Sequence, residues 1–190
     1  MGVTDFSLEL LKKHNLDAKG LKVLELGCQN LYNQNNYGQI SNDYFKEKGQ
    51  EIDSIDLEGC NGSDVVNLDN PIPKKYLNKY DVITNFGTSE HCGDFYQTFK
   101  NIYDACKVGG IMICETPKKG NWPGHGNHYV ITHFYKELCH DMDFTIMDLG
   151  EHPAMGNKID GWNVYCVFRK IDDRKFISKE TFNKYSFYSE

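Results

Sequence analysis

The sequence predicts an α/β fold: seven strands in a mostly parallel sheet, helices on both faces, and an antiparallel last strand. Three observations carry this expectation. Short apolar runs alternate with amphipathic stretches through the first five strands, as successive βαβ units do, and right-handed crossovers lay such strands side by side in parallel. Two further apolar runs near the C-terminus follow each other with no helix between them, so the last one is expected to insert in the opposite direction. A chain of 190 residues, 39% hydrophobic and 13% aromatic, suits one compact core and leaves little room for a second.

The elements follow in order. Thr4 caps a first helix, "DFSLELLKKHN", whose Phe6, Leu10 and Leu11 share a face before Gly20 interrupts the pattern. "LKVLELG" is a buried strand ending at Gly27. "YNQNNYGQ" reads as polar loop, and "SNDYFKEKG" as a short helix with Ser41 as cap and Gly49 just past its end. "EIDSIDLEG" alternates as a second strand and ends on Asp56. "SDVVNLD" is a brief third strand, "NPIPKKYLNK" a proline-marked connection, and "YDVITNFG" a fourth strand with the apolar run of a buried position.

"CGDFYQTFKNIYDACKVGG" reads as an amphipathic helix with Phe95, Phe99, Ile102 and Cys106 on one stripe, closed by Gly109. "GIMICETP" is the fifth strand. The long loop "KKGNWPGHGNHYV" precedes the helix "THFYKELCHDM", and "FTIMDLGE" and "WNVYCVFRK" are two final strands joined by a Gly- and Pro-bearing loop. Residues 1–170 are expected to form the main domain, with 171–190 as a capping helix or tail.

A net charge of -6, with Lys and Arg spread thinly, argues against a large phosphate-binding surface, so nucleic acid is not expected as a partner. No segment approaches the ~20 apolar residues of a membrane span. The seven cysteines form no C-x-x-C pair and are expected to be reduced thiols of a cytoplasmic protein. Nothing in the sequence sets an oligomeric state.

Ligands of open α/β sheets bind outside the carboxyl ends of the strands, where strand order reverses. That rule selects Gly27, Asp56, Asn67 and Asn85. Glu25-Leu26-Gly27 and Asp56 lie one βαβ unit apart, and an acidic side chain at Asp56 can accept hydrogen bonds from both hydroxyls of a ribose. A nicotinamide fingerprint starting at Gly27 needs glycines where Gln29 and Tyr32 stand, which disfavours a dehydrogenase.

Together, "VLELGCQN", "SIDLEG", "VVNLDNPIP", "YDVITNFGTSEH" and "ACKVGGIMICETP" resemble, in order, the motifs of the class I S-adenosylmethionine-dependent methyltransferase family, with its Rossmann-like sheet, over roughly residues 20 to 170. The resemblance implies S-adenosyl-L-methionine as cofactor. It assigns the methionine side to Glu25, Gly27, Cys28 and Gln29, the ribose to Asp56, the adenine to Leu57, Asn67 and Leu68, and the methionine end facing the acceptor to Asn85. The chain departs from the family where Gln29 and Leu31 replace two customary glycines; Asn30 tolerates left-handed geometry, so the turn is expected to have shifted by a residue.

Asn85 is followed by Phe86-Gly87-Thr88 without the two prolines of nucleobase and glutamine methyltransferases. "SEH" instead looks like the small-molecule branch, so a small-molecule acceptor is expected, methylated at oxygen, with His91 as general base. A ubiquinone-pathway branch holds a divalent metal on a Glu-x-x-Glu-His cluster; here Gly87 replaces its first carboxylate, and no metal is assigned. His125, His128 and His133 follow the fifth strand on the same edge, and His128 is a second candidate base or substrate contact. Trp122 and Tyr129 either stack on a substrate or pin that loop. The alternative is a non-catalytic module that keeps this fold without cofactor binding or turnover, motivated by the missing glycines and the polar insertion.

Overall fold

The computed structural model describes residues 2–33, 35–153 and 161–189. Strand β2 (Lys22–Leu26) sits in the middle of a seven-stranded sheet, and its apolar run explains why: Val23 faces one side of the sheet and Leu24 and Leu26 the other, all buried. It pairs in parallel with β4 (Glu51–Asp56) on one side and β6 (Tyr80–Phe86) on the other. Beyond β4 lies the short β5 (Asp64–Val65), and beyond β6 the long β7 (Cys106–Pro117), both parallel. β10 (Trp162–Arg169) then inserts antiparallel to β7, and β9 (Thr145–Pro153) closes the far edge. The order is β5-β4-β2-β6-β7-β10-β9. The expected sheet and its single reversed strand are therefore present, and strand order turns back between β2 and β6.

Helices cover both faces because each offers one apolar stripe. α1 (Asp5–Lys13) begins at Thr4, whose side chain accepts from the Ser7 amide while Ser7 reciprocates, and it buries Leu10 and Leu11. α2 (Ser41–Glu47) adds Phe45 to the same face. On the other face α3 (Phe95–Ala105) contributes Phe95, Phe99 and Ile102, and α4 (Thr132–Asp141) contributes Phe134, Tyr135 and Leu138. The segment after β10 joins this core: Phe176, Phe182 and Tyr185 are buried in it, α5 (Lys179–Phe182) is one turn, and β11 (Phe187–Ser189) pairs with β8 (His128–Val130).

Three segments differ from expectation. α3 stops at Ala105, four residues short, because the buried Lys170 ammonium donates to the carbonyls of Tyr103 (3.2 Å) and Cys106 (2.9 Å) and so satisfies the helix end. The polar stretch after Gly27 is not plain loop: β3 (Leu31–Tyr32) pairs with β1 (Val3–Thr4), with Leu31 fully buried. Cys28 and Cys60 are joined as a disulfide with Cα atoms 6.0 Å apart, which corrects the expectation of seven reduced thiols. Their turns are neighbours only because β2 and β4 are. The connection between β9 and β10 falls largely at 154–160, outside the described residues.

Candidate functional site

A cavity of about 280 Å3 opens at the carboxyl edge of β2, β4 and β6, at the place where strand order reverses. Its floor is apolar, from Ile55, Val66 and Leu68, and Leu57 stands at the lip with 65% of its surface exposed. Gly27, Cys28, Gln29, Asp56 and Asn67 also line it, so seven of the nine expected cofactor positions meet there. Thr88, Gly87, Asp69, Cys92 and His91 complete the wall. Sequence reasoning did not assign the first four to the site: Gly87 and Thr88 follow the end of β6 directly, whereas Asp69 and Cys92 stand further along the connections after β5 and β6.

Gly27 explains the turn. Its φ of +80° suits glycine alone, and a Cβ built there would lie 2.4 Å from Thr88 Oγ1 and 2.7 Å from Gln29 Nε2. Gln29 replaces the customary bare backbone with a brace: its Nε2 donates to Thr88 Oγ1 (3.0 Å) and to the Leu26 carbonyl (3.3 Å), and Thr88 Oγ1 donates to that same carbonyl (2.7 Å). Asn30 does not take a left-handed conformation, so the turn has been reshaped by a side chain and not shifted by a residue. Asp56 accepts the Cys28 amide on one carboxylate oxygen and the Glu58 amide on the other, both at 2.8 Å. Each oxygen keeps a second lone pair for a ligand.

Glu25 and Asn85 stand behind the cavity and do not line it. Glu25 is buried, accepting from Ser41 Oγ and from Ser54 Oγ (3.0 Å), and burial pushes its carboxyl up to about 7. Asn85 accepts the Ser89 amide (3.0 Å) and donates to Ser89 Oγ (2.9 Å), closing the 3-10 turn Ser89–His91. Both therefore build the walls on which other groups stand.

That turn carries Glu90 and His91. His91 lines the cavity, and burial first, then the neighbouring His125, lower its basicity, so the imidazole is neutral at pH 7. Glu90 is fully buried, neither carboxylate oxygen has a hydrogen-bond partner among the described residues, and burial pushes it up to about 8. The loop between β7 and β8 lies across it: the Asn127 amide donates to the Glu90 carbonyl (2.7 Å) and Asn127 Nδ2 to the His91 carbonyl (2.9 Å). Tyr129 holds this loop, since its hydroxyl donates to the Trp122 carbonyl (2.8 Å) and accepts the His125 amide (3.0 Å). Tyr129 is thus a pin for the loop, and Trp122 packs on His125, ring centroids 5.2 Å apart.

The structure brings His125, not His128, to His91, their ring centroids 4.9 Å apart. His128 starts β8 and turns away from the cavity, stacked on Phe95 with Nδ1 against Ser189 Oγ at 3.0 Å. His133 lies on α4, beside Glu137.

A family model described as "methyltransferase domain" matches residues 3–149. No curated protein sequence matches the chain. Solved structures share its fold at low identity. The 1,6-didemethyltoxoflavin-N1-methyltransferase of Burkholderia thailandensis, with S-adenosylhomocysteine bound, superposes with a TM-score of 0.62 at 14% identity, over 86% of this chain and 76% of that one. An S-adenosylmethionine-dependent methyltransferase from Mesorhizobium loti gives 0.57 at 13%, over 84% and 96%. The cyclase SpnF gives 0.58 at 12%, over 86% and 80%.

Proposed function

Because the chain belongs to the methyltransferase-domain family, we propose that it transfers a methyl group from S-adenosylmethionine to an oxygen of a small-molecule acceptor. The observation that carries this reading is the cavity at the strand-order reversal, where the family's nucleoside and methionine positions converge on this chain's own side chains. The fit is physical. Leu57 is an exposed apolar side chain above an apolar floor, which a flat aromatic base would cover; the spare lone pairs of Asp56 suit ribose hydroxyls; and Gly27 keeps open a space that a Cβ would close. When bound, S-adenosylmethionine supplies a methyl carbon on a sulfonium that leaves as a neutral thioether.

The protein's own contribution is placement. Gln29 and Thr88 stiffen the turn on the methionine side, Asn85 holds the Ser89–His91 turn, and His91, the one basic side chain lining the cavity among the described residues, activates the acceptor hydroxyl. The didemethyltoxoflavin bound by the Burkholderia thailandensis enzyme supports a small acceptor. Residues 1–170 carry the activity, with 171–189 as a cap over α3 and α4.

Calorimetry tests the reading. S-adenosylmethionine or its demethylated product is expected to bind, and Asp56→Ala to weaken binding by roughly 100-fold, since hydrogen bonds to a charged group are worth about 1.5–3 kcal/mol each. Absence of binding to the wild-type protein overturns the proposal in favour of a non-catalytic module.

A further inference from the structure

Glu90, His91 and His125 each bring one ligand atom into a common cluster. The three atoms lie within 4.8 Å of one another, and Glu90 Oε1 is 3.9 Å from both His91 Nε2 and His125 Nε2. Ligands around a tetrahedral ion with bonds of about 2.0–2.2 Å stand roughly 3.3 Å apart, so side-chain shifts of about half an ångström close the set. Two polar facts set this cluster apart from a surface group of charges. Both Glu90 oxygens are buried without a partner, and His125 Nε2 is likewise buried and unpartnered among the described residues. Buried polar atoms are seldom left unpaired unless something absent satisfies them.

The local backbone is shaped to this end. A Cβ at Gly126 would lie 3.0 Å from Glu90 Cγ and 3.0 Å from its carbonyl oxygen, so only glycine lets the loop lie flat on Glu90 and bring His125 in. Asn127 and Tyr129 then fasten the loop on either side.

We propose that Glu90, His91 and His125 form a binding site for a divalent transition-metal cation, with zinc as the ion that this two-histidine, one-carboxylate set takes for non-redox chemistry. Three protein ligands leave a fourth position open, the arrangement of catalytic sites. His91 is the ligand that lines the cavity, so the ion sits at its acceptor end. The acceptor class follows: a molecule whose hydroxyl oxygen fills the fourth position, loses its proton to water as the ion lowers the hydroxyl pKa, and is then the nucleophile. In this arrangement His91 serves as a ligand instead of a general base.

The catalytic use of the ion rests on the methyltransferase reading, but its binding does not, and the experiment separates them. The full chain, purified without a histidine tag and stripped with chelator, is titrated with zinc against a chromophoric competitor, and its metal content is read by elemental analysis. One zinc per chain is expected. His125→Asn and Glu90→Gln should each weaken it by at least about 100-fold, the scale on which metal sites lose affinity when their shell is damaged. His140→Asn, at a side chain 87% exposed on α4, serves as control and should change nothing. Circular dichroism of the metal-free variants verifies folding, and His91→Asn, at a half-exposed ligand, repeats the test should a buried variant misfold. Zinc binding no tighter in the wild type than in His125→Asn overturns the proposal. S-adenosylmethionine binding to the stripped protein with no zinc site leaves the methyltransferase reading standing alone; zinc binding without cofactor binding does the reverse.

Discussion

Glu25, in the carboxyl half of β2, and Glu90, on the turn after the neighbouring β6, are both buried carboxylates, yet their surroundings differ in kind. Glu25 is met by two serine hydroxyls, one from α2 and one from β4. Glu90, on the turn after β6, is met by none among the described residues, and its Oε1 stands 3.9 Å from the Nε2 atoms of His91 and His125. Burial raises both carboxyls. A buried charge-bearing group that the fold itself satisfies is scaffold; one that the fold leaves unsatisfied is a cost carried for a ligand. The same contrast separates the two halves of the site. The cofactor side is braced by Gln29, Thr88 and Asp56, whose hydrogen bonds are made within the protein, whereas the acceptor side holds its polar groups apart.

The largest effect that would sharpen this comparison is on stability. Glu25→Ala leaves a cavity and two buried hydroxyls without their acceptor, and should cost about 3–5 kcal/mol. Glu90→Met fills similar space with apolar atoms and removes an unpaired group, so the metal-free protein should be unchanged or more stable by about 1–2 kcal/mol. Urea denaturation of both variants decides it. Equal losses would break the distinction and make Glu90 a structural residue.

A second, smaller effect is the pH dependence that Glu25 imposes. Its folded value, about 7, lies above the usual 4.5, so between these values the native state holds a proton that the unfolded chain has released. Stability from this group therefore falls as pH rises from 4.5 to 7, by a total on the order of 3 kcal/mol, and levels off above that range. Glu25→Gln keeps the shape and removes the titration. Denaturation between pH 5 and 8 should show a shallower decline in the variant than in the wild type; an identical slope would mean that the serine hydroxyls hold the carboxylate ionised throughout.

How far the sequence could be read follows the same division. Gly27, Asp56, Leu57 and Asn67 are legible because a parallel strand's carboxyl end always faces the same edge, so counting strands places them. Glu25 and Asn85 lie one or two residues from such ends, and only the pleat and the turn decide that they face serines and the 3-10 turn instead of the cavity. His125 is legible only as one of three histidines after the fifth strand, and nothing in the sequence singles it out over His128. It is 35 residues from Glu90 in sequence, and its position depends on a loop route set by the Tyr129 hydroxyl, by Asn127 and by the left-handed φ of +57° at Trp122. The glycine after it serves the approach to Glu90, which only the structure shows. The Cys28–Cys60 pairing was hidden for a similar reason, since the two cysteines stand 32 positions apart in sequence and meet only because a βαβ unit returns the chain to its start.

The smallest effect tests whether the brace on the cofactor side is more than decoration. Thr88→Val keeps the shape of the side chain but removes the donor to the Leu26 carbonyl and the acceptor for Gln29. The expected cost is about 1 kcal/mol of stability, since the net worth of such a hydrogen bond is small while the Gln29 amide turns to other partners. Because Thr88 Oγ1 is also the atom that forbids a Cβ at Gly27, the loosened turn should bind S-adenosylmethionine several-fold more weakly while leaving the zinc titration untouched. Affinity that stays constant would show that Gly27 alone shapes the methionine side; loss of zinc together with cofactor would show that the two halves of the site are one mechanical unit, and the contrast between Glu25 and Glu90 would then describe neighbours and not separate functions.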